Sequence, residues 1–74
     1  MGMSVGAGER GLSEREHEVL TLLADGLSLR EVGAELVLGP RVVGTHVEQI
    51  YDKLGARTRA HAVGIAFRGG LLEA

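Results

Sequence analysis

The stretch LVLGPRVVGTHVEQI, residues 36–50, decides the fold. Apolar residues in it and just beyond it recur at the spacing i, i+4, i+7 and i+11, which places them on one face of an α-helix. They are Val43, Val47, Ile50 and Leu54. The other face begins with residues that are mostly small or polar, namely Arg41, Val42, Gly44, Thr45 and His46. We therefore expect this helix to bury one face in a core and to present the other face to a partner.

Length and composition indicate one small domain. The chain has 74 residues, of which 45% are apolar, but it has only one Phe, one Tyr and no Trp. A chain of this size buries a modest fraction of its surface, so we expect a partner or a second copy to cover part of it. Four glycines within residues 1–11 and the lack of any periodicity there predict a flexible leader or linker. The folded domain is expected over residues 12–74.

Several classes of protein are disfavoured by composition. Cysteine is absent, which excludes disulfides and thiolate metal sites. The three histidines lack metal-ligand spacing, and no glycine-rich loop follows a strand pattern, so we predict no enzyme, no metal and no cofactor. No apolar run approaches the roughly 18 residues of a membrane span, and no signal-peptide pattern opens the chain. We expect a cytoplasmic protein without membrane contact.

The charge is unevenly distributed along the chain. The formal net charge of −2 by itself disfavours a nucleic-acid partner. Residues 1–39 carry a charge of −4, however, whereas residues 40–68 carry +3. The basic C-terminal part is compatible with a surface that faces an anion.

Capping residues predict four short helices and no strand, that is, an all-α fold. Ser13 with Glu16 and Ser28 with Glu31 form capping boxes that open the first two helices. Pro40 suits the first position of the third helix, because its missing N–H is not needed there. The remaining predicted boundaries are Asp25-Gly26, Gly55, Thr58 and Gly69-Gly70.

The apolar spacing also predicts which side chains of the other helices face inward. In the first helix they are Val19, Leu20 and Leu23; in the second, Leu29, Val32, Gly33 and Leu36; in the fourth, Ala62, Val63, Ala66 and Phe67. With the third helix, these faces predict a compact four-helix bundle.

The second and third predicted helices have the outline of a helix-turn-helix. They are joined by a tight turn, and the later helix is longer and polar on its outer face. In such a unit the N-terminal half of the later helix enters the DNA major groove, so it must be slim there. Gly44 and Thr45 would let the backbone approach the DNA, and Arg41 and Gln49 would reach phosphates or base edges. Arg30 would bind phosphate beside the free N–H groups at the start of the second helix.

Four motifs in order carry a family resemblance: LSEREHEVL, LLADGLSLREV, HVEQIYDKLGARTRAHAV and the closing GLL. The chain from Leu12 to Leu72 resembles the C-terminal DNA-binding domain of the LuxR/NarL family of bacterial transcription regulators. The resemblance implies a four-helix bundle whose third helix is the recognition helix. It also implies that the fourth helix makes a dimer contact, and that the module is fused to a receiver or ligand-sensing domain.

The helix-turn-helix outline and the resemblance together predict the site residues. The predicted DNA-binding residues are Arg30, Arg41, Val42, Gly44, Thr45, His46, Glu48, Gln49, Lys53, Arg57 and Arg59. The predicted dimer residues are Ala60, Gly64 and Phe67. Two assignments stay open: His46 contacts a phosphate or is a partly buried ring bonded to the backbone, and Glu48 accepts from cytosine or is only solvated. The small residues of the fourth helix serve either a dimer or packing within one chain.

The chain departs from the family pattern on the face expected to meet DNA. Gly39, Val42 and Gly44 stand where members commonly have Ser, Thr and Lys, and Gly33 stands where members have Ala. We predict a double-stranded-DNA-binding transcription regulator or its output domain, with a recognition helix at about residues 40–54 and a homodimer. One alternative is an adaptor with a degenerate DNA face that acts through protein contacts. Another is a relative of the promoter-reading region of sigma factors, against which the long fourth-helix motif argues.

Overall fold

The structure, a computed structural model, describes residues 11–73. The predicted leader over residues 1–11 therefore lies outside the described residues, except for Gly11. The described chain forms four helices and contains no strand, which confirms the all-α prediction. The helices are α1 (Glu14–Ala24), α2 (Leu29–Leu36), α3 (Pro40–Leu54) and α4 (Arg59–Arg68).

Both predicted capping boxes are formed. The Ser13 hydroxyl accepts from the Glu16 N–H at 3.0 Å, and the Glu16 carboxylate accepts from the Ser13 N–H at 3.0 Å. The same reciprocal pair joins Ser28 and Glu31 at the start of α2. Thr58 caps α4 by accepting from the His61 N–H. These local bonds satisfy N–H groups that a helix end otherwise leaves unpaired, and so they fix where the helices begin.

The turn between α2 and α3 depends on a close backbone contact at Gly33. Its carbonyl oxygen accepts from the Leu38 N–H at 2.8 Å. A Cβ atom at Gly33 would lie 2.7 Å from the Leu38 carbonyl oxygen, so a side chain there would force the turn to shift away from α2. Val37 ends α2 in the left-handed conformation, at φ 57° and ψ 49°. Residues 37–39 thus form the tight turn that the sequence predicts between these helices.

Helices α1 and α3 each contact all three other helices, whereas α2 and α4 do not contact each other. The four predicted inward residues of α3 are buried. They pack with Val19, Leu20 and Leu23 of α1, Val32 of α2, and Ala62 and Ala66 of α4. Leu12, Leu71 and Leu72 close the core from outside the helices.

Two of the predicted inward residues are in fact exposed, and those predictions were wrong. Leu29 is 43% exposed and Phe67 is 40% exposed. Leu29 is the first residue of α2, where the helix has only begun to pack on the bundle. The buried positions of α4 are both alanines, so α4 lies close to the core without space for a phenyl ring there. The apolar volume at this end comes instead from Leu71 and Leu72, which are buried.

A hydrogen bond anchors the segment after α4 to α1. The His17 Nε2 lies 2.8 Å from the Leu71 carbonyl oxygen. Because a carbonyl oxygen only accepts, His17 Nε2 carries the proton in this bond. The N–H groups of Leu71 and Leu72 both point to the Ala66 carbonyl, which folds the chain back at Gly70, with φ 80°.

Candidate nucleic-acid interface

The outer face of α3 is polar and free of bulk in its N-terminal half. The predicted contact residues Arg41, Val42, Thr45, Glu48 and Gln49 are exposed. Gly44 and His46, also in the predicted set, are half-buried. The first turn of α3 contains no acidic residue, and no side chain caps its N-terminus. The partial positive charge of the helix end is therefore left open to an anion.

Gly44 and Thr45 add little side-chain bulk to the middle of this face. A Cβ atom at Gly44 would meet nothing within 4 Å, so the space beside it is open. The Thr45 hydroxyl donates to the Arg41 carbonyl oxygen at 3.1 Å, which holds the hydroxyl against its own helix. With Gly44 and Thr45 adding little bulk, the Arg41 side chain extends furthest from this part of the face.

The first turn of α2 lies beside the first turn of α3. Leu29 and Arg30 of α2 line one cleft with Gly33, Leu38 and Pro40. This cleft has a volume of about 400 Å³. The predicted contact residue Arg30 thus shares a surface with the start of α3, as in a helix-turn-helix.

Arg30 and Arg41 have no acidic partner among the residues that the structure describes. Both side chains are exposed, and within residues 11–73 neither has a carboxylate within salt-bridge distance. The pairs that do form there are Arg15 with Glu18 at 3.3 Å and Lys53 with Glu16 at 2.7 Å. The two arginines are therefore free to neutralise an anion from outside the chain.

The remaining predicted basic residues form a second group, at the other end of α3. Lys53 lies in the last turn of α3, about 18 Å along the axis from Arg41 at 1.5 Å per residue. Arg57 follows in the loop, and Arg59 is the first residue of α4. Arg57 is exposed and Arg59 half-buried. The structure thus divides the predicted basic residues between the two ends of α3.

Lys53 is already paired within the chain. Its Nζ donates to Glu16 Oε1 at 2.7 Å, and Glu16 is only 2% exposed. The sequence places Glu16 in a local capping box and does not predict this partner 37 residues away. No local pattern signals such a contact, because it depends on how α1 packs against α3.

The electrostatics of Glu16 favour its charged form. Burial raises the pKa of this carboxyl, but the hydrogen bonds from Lys53 and from the Ser13 N–H lower it. The charges of Lys53 and His46 lower it further. The net effect holds the pKa of Glu16 below its ordinary value of 4.5.

His46 is not bonded to the backbone through its buried nitrogen. Its Nδ1 atom is buried and has no hydrogen-bond partner among the residues that the structure describes. The predicted alternative, a ring that bonds to the backbone, is therefore not formed through Nδ1 within the described residues. Which role His46 has toward DNA stays a prediction.

The predicted dimer residues lie along α4. Ala60 and Phe67 are exposed and Gly64 is half-buried. The Arg68 Nη1 lies 3.4 Å from the position of a Cβ atom at Gly64, so the glycine leaves room for the guanidinium group. This face therefore has an exposed aromatic ring and two small residues.

Residues 11–73 contain neither a metal-binding cluster nor a membrane-spanning helix. No group of three or more His, Asp or Glu side chains there is arranged to hold a metal ion. No helix there is long and apolar enough to span a membrane.

The fold and this surface define the class of protein. Two short helices joined by a tight turn, the later one with an open polar face beside Arg30, are typical of the helix-turn-helix modules of transcription regulators. The chain belongs to the luxR family of bacterial regulatory proteins, whose family model matches residues 10–66. The resemblance stated from the sequence is thereby confirmed.

The relatives that the chain resembles are regulators. It is 48% identical over 62 residues to the probable transcriptional regulatory protein NarL of Mycobacterium tuberculosis, which is 84% of this chain and 29% of that protein. It is 39% identical over 64 residues to the transcriptional regulatory protein YdfI of Bacillus subtilis, covering 86% of this chain and 30% of that protein. The chain thus spans less than a third of either relative.

A solved structure supports the same assignment. The response regulator ChrA of a heme-sensing two-component system superposes with a TM-score of 0.81 at 35% sequence identity. The match covers 97% of this chain and 33% of that one. Family and relatives are transcription regulators, which are not enzymes as a class.

Proposed function

We propose that this chain binds double-stranded DNA by placing the N-terminal half of α3 in the major groove. The observation that carries the proposal is the open start of α3, where Arg41 and the neighbouring Arg30 are exposed and have no acidic partner within the described residues. Phosphate is the anion that such a surface meets on DNA. The low profile at Gly44 and Thr45 lets the helix approach the base edges.

The two ends of α3 have different tasks in this arrangement. At its start, Arg30 and the open N–H groups of α2 and α3 bind phosphate, and Arg41 reaches a phosphate or a guanine edge. Beyond its end, Arg57 and Arg59 bind the backbone of the duplex. A 15-residue helix is about 22 Å long, whereas the major groove is about 12 Å wide, so both ends can reach phosphates. Lys53 contributes less, because Glu16 compensates its charge.

A charge placed at Thr45 tests this proposal. Thr45→Glu adds a carboxylate to the exposed face, and Thr45→Gln adds a side chain of the same size without the charge. Fluorescence anisotropy with a labelled duplex pool at low salt should show Thr45→Glu binding at least about tenfold more weakly than Thr45→Gln. Equal binding by the two variants would contradict the placement of α3 in the groove. Circular dichroism of both variants verifies that the fold is retained.

The homodimer belongs to the same proposal. The exposed Phe67 and Ala60, with Gly64 between them, form a face on which a second α4 can pack closely. A two-fold dimer would bind two half-sites one helical turn apart. Phe67→Glu should shift the sedimentation coefficient toward that of a monomer, whereas Ala34→Glu, an exposed change on α2, should not. Identical sedimentation of Phe67→Glu and the unchanged chain would exclude this interface.

We also propose that the chain acts as the output module of a larger regulator. The relatives are about three times longer than the matched segment, and ChrA is a response regulator. An upstream receiver or ligand-sensing domain would then control access to α3. As a regulator that binds the bacterial chromosome, the chain acts in the cytoplasm and carries no catalytic activity.

One observation favours the alternative of an adaptor that binds protein. Leu29 in the first turn of α2 and Val42 in the first turn of α3 are exposed apolar residues. If the chain is an adaptor, no duplex should bind even at low salt. Exchange of Leu29 for Asp would then disrupt a protein complex, whereas Arg41→Ala would not.

A further inference from the structure

Val42 is an exposed apolar residue that does not belong to the hydrophobic core. Its side chain is 45% exposed in the first turn of α3, although the next residue, Val43, is fully buried. The described residues include three other exposed large apolar side chains: Leu29, Val37 and Phe67. Of the four, only Val42 lies on the helix proposed to enter the major groove. On a helix that enters the groove, this exposed side chain would face the base edges.

The surroundings of Val42 offer few hydrogen-bond donors to a base. Gly44 has no side chain, and the Thr45 hydroxyl donates to the Arg41 carbonyl at 3.1 Å. From Pro40 to Thr45 at the start of α3, the side-chain donors not already bonded within the described residues are those of Arg41. Next to that guanidinium, Val42 presents only methyl groups.

The major groove has one apolar group, the C5-methyl group of thymine, which 5-methylcytosine shares. A valine placed against a base donor or acceptor would remove its water without replacing the hydrogen bond, which is unfavourable. Against a methyl group, the same valine buries apolar surface from both sides. We propose that Val42 reads the C5-methyl group of a pyrimidine in the major groove and so specifies one base position. This inference rests on the proposed function.

Removal of the methyl group alone tests the inference. The unchanged chain first selects its preferred duplex from a random pool. Each thymine of that duplex is then replaced singly by deoxyuridine, which lacks only the methyl group. We expect one thymine per half-site at which this change weakens binding by about fourfold, the equivalent of about 0.8 kcal/mol for one buried methyl-sized group.

Protein variants assign the effect to Val42. Val42→Ala should bind the thymine and uracil duplexes with nearly equal affinity, because the contact is absent from both complexes. Arg41→Ala should bind both more weakly and still prefer thymine about fourfold. Cytosine at the sensitive position should bind more weakly than 5-methylcytosine, again only with Val42 present.

The outcomes separate this inference from the proposed function. If the chain selects a duplex but no uracil substitution weakens binding, Val42 does not read a methyl group. The same conclusion follows if Val42→Ala still binds the uracil duplex about fourfold more weakly than the thymine duplex. If the unchanged chain binds no duplex at all, the proposed function itself fails. Thermal unfolding of Val42→Ala should match the unchanged chain closely, because the side chain lies outside the core.

Discussion

The Lys53 Nζ lies 2.7 Å from Glu16 Oε1, and the same oxygen accepts the Ser13 N–H at 3.0 Å. One buried carboxylate therefore closes the capping box of α1 and holds the last turn of α3 against it. The pair fixes the recognition helix on the bundle at the end opposite Arg41. Its cost in desolvation is offset by two charge-assisted hydrogen bonds to one oxygen.

This pair should make stability depend on pH in acid. Because the folded pKa of Glu16 lies below the ordinary 4.5, its stabilising effect is complete above about pH 4.5 and is lost as the pH falls through the lower folded value. Glu16→Gln should be less stable at pH 7 by about 1–2 kcal/mol. Thermal unfolding followed by circular dichroism from pH 7 to pH 3 should show the melting temperatures of Glu16→Gln and of the unchanged chain converging in acid.

Glu18→Gln is the matched control, because Glu18 is exposed and pairs with Arg15 only at the surface. It should change the melting temperature at pH 7 much less than Glu16→Gln does. If Glu16→Gln melts at the same temperature as the unchanged chain at pH 7, the pair does not stabilise the fold.

Val37 should be a site of stored backbone strain. It is a β-branched residue in the left-handed conformation and is 89% exposed, so no packing compensates its backbone energy. Val37→Asn should raise the free energy of unfolding by about 1 kcal/mol, or the melting temperature by about 4–8 °C. Val42→Asn changes an exposed valine in helical backbone and should give no such gain. Equal effects at the two positions would refute strain at Val37.

Substitution by alanine should affect stability differently at two helical glycines. Gly44→Ala meets open space and should gain about 1 kcal/mol of helix propensity. At Gly33 the new Cβ would lie 2.7 Å from the Leu38 carbonyl oxygen, which offsets that gain. Urea unfolding should find Gly33→Ala less stable than Gly44→Ala by at least about 1 kcal/mol. If both variants gain the same stability, the turn at Leu38 moves at little cost and the close contact does not constrain it.

Gly44 is also where the DNA face can be strengthened. Gly44→Lys adds a cation in open space on α3 and should tighten duplex binding relative to Gly44→Gln, which adds length without charge. The plot of log K against log salt should steepen by about one unit. If Gly44→Lys and Gly44→Gln bind alike across the salt series, this part of α3 does not face the phosphates.

The sequence predicts the helices well because their boundaries depend on residues within four positions of each other. The capping boxes, Pro40 and the left-handed Gly55 are all of this kind. The buried stripe of α3 was predictable for the same reason. Leu29 and Phe67 were misassigned, since their exposure depends on how closely α2 and α4 approach the bundle.

The candidate site was predictable as a set of positions but not as an arrangement. The sequence predicts both Arg41 and Lys53 as DNA contacts. Only the packing of α1 against α3 shows that Lys53 is paired with Glu16 while Arg41 has no partner in the described chain. Charge balance in a small domain depends on residues distant in sequence, and a single sequence does not reveal which ones meet.

The most direct test of DNA binding through α3 is the salt dependence of duplex affinity for the unchanged chain, Arg41→Ala and Lys53→Ala. Fluorescence anisotropy should give a straight, steeply falling plot of log K against log salt for the unchanged chain. Arg41→Ala should flatten the slope by about one unit, and Lys53→Ala by less, because Glu16 already neutralises Lys53. No binding at low salt, or an affinity that salt does not change, would contradict the account.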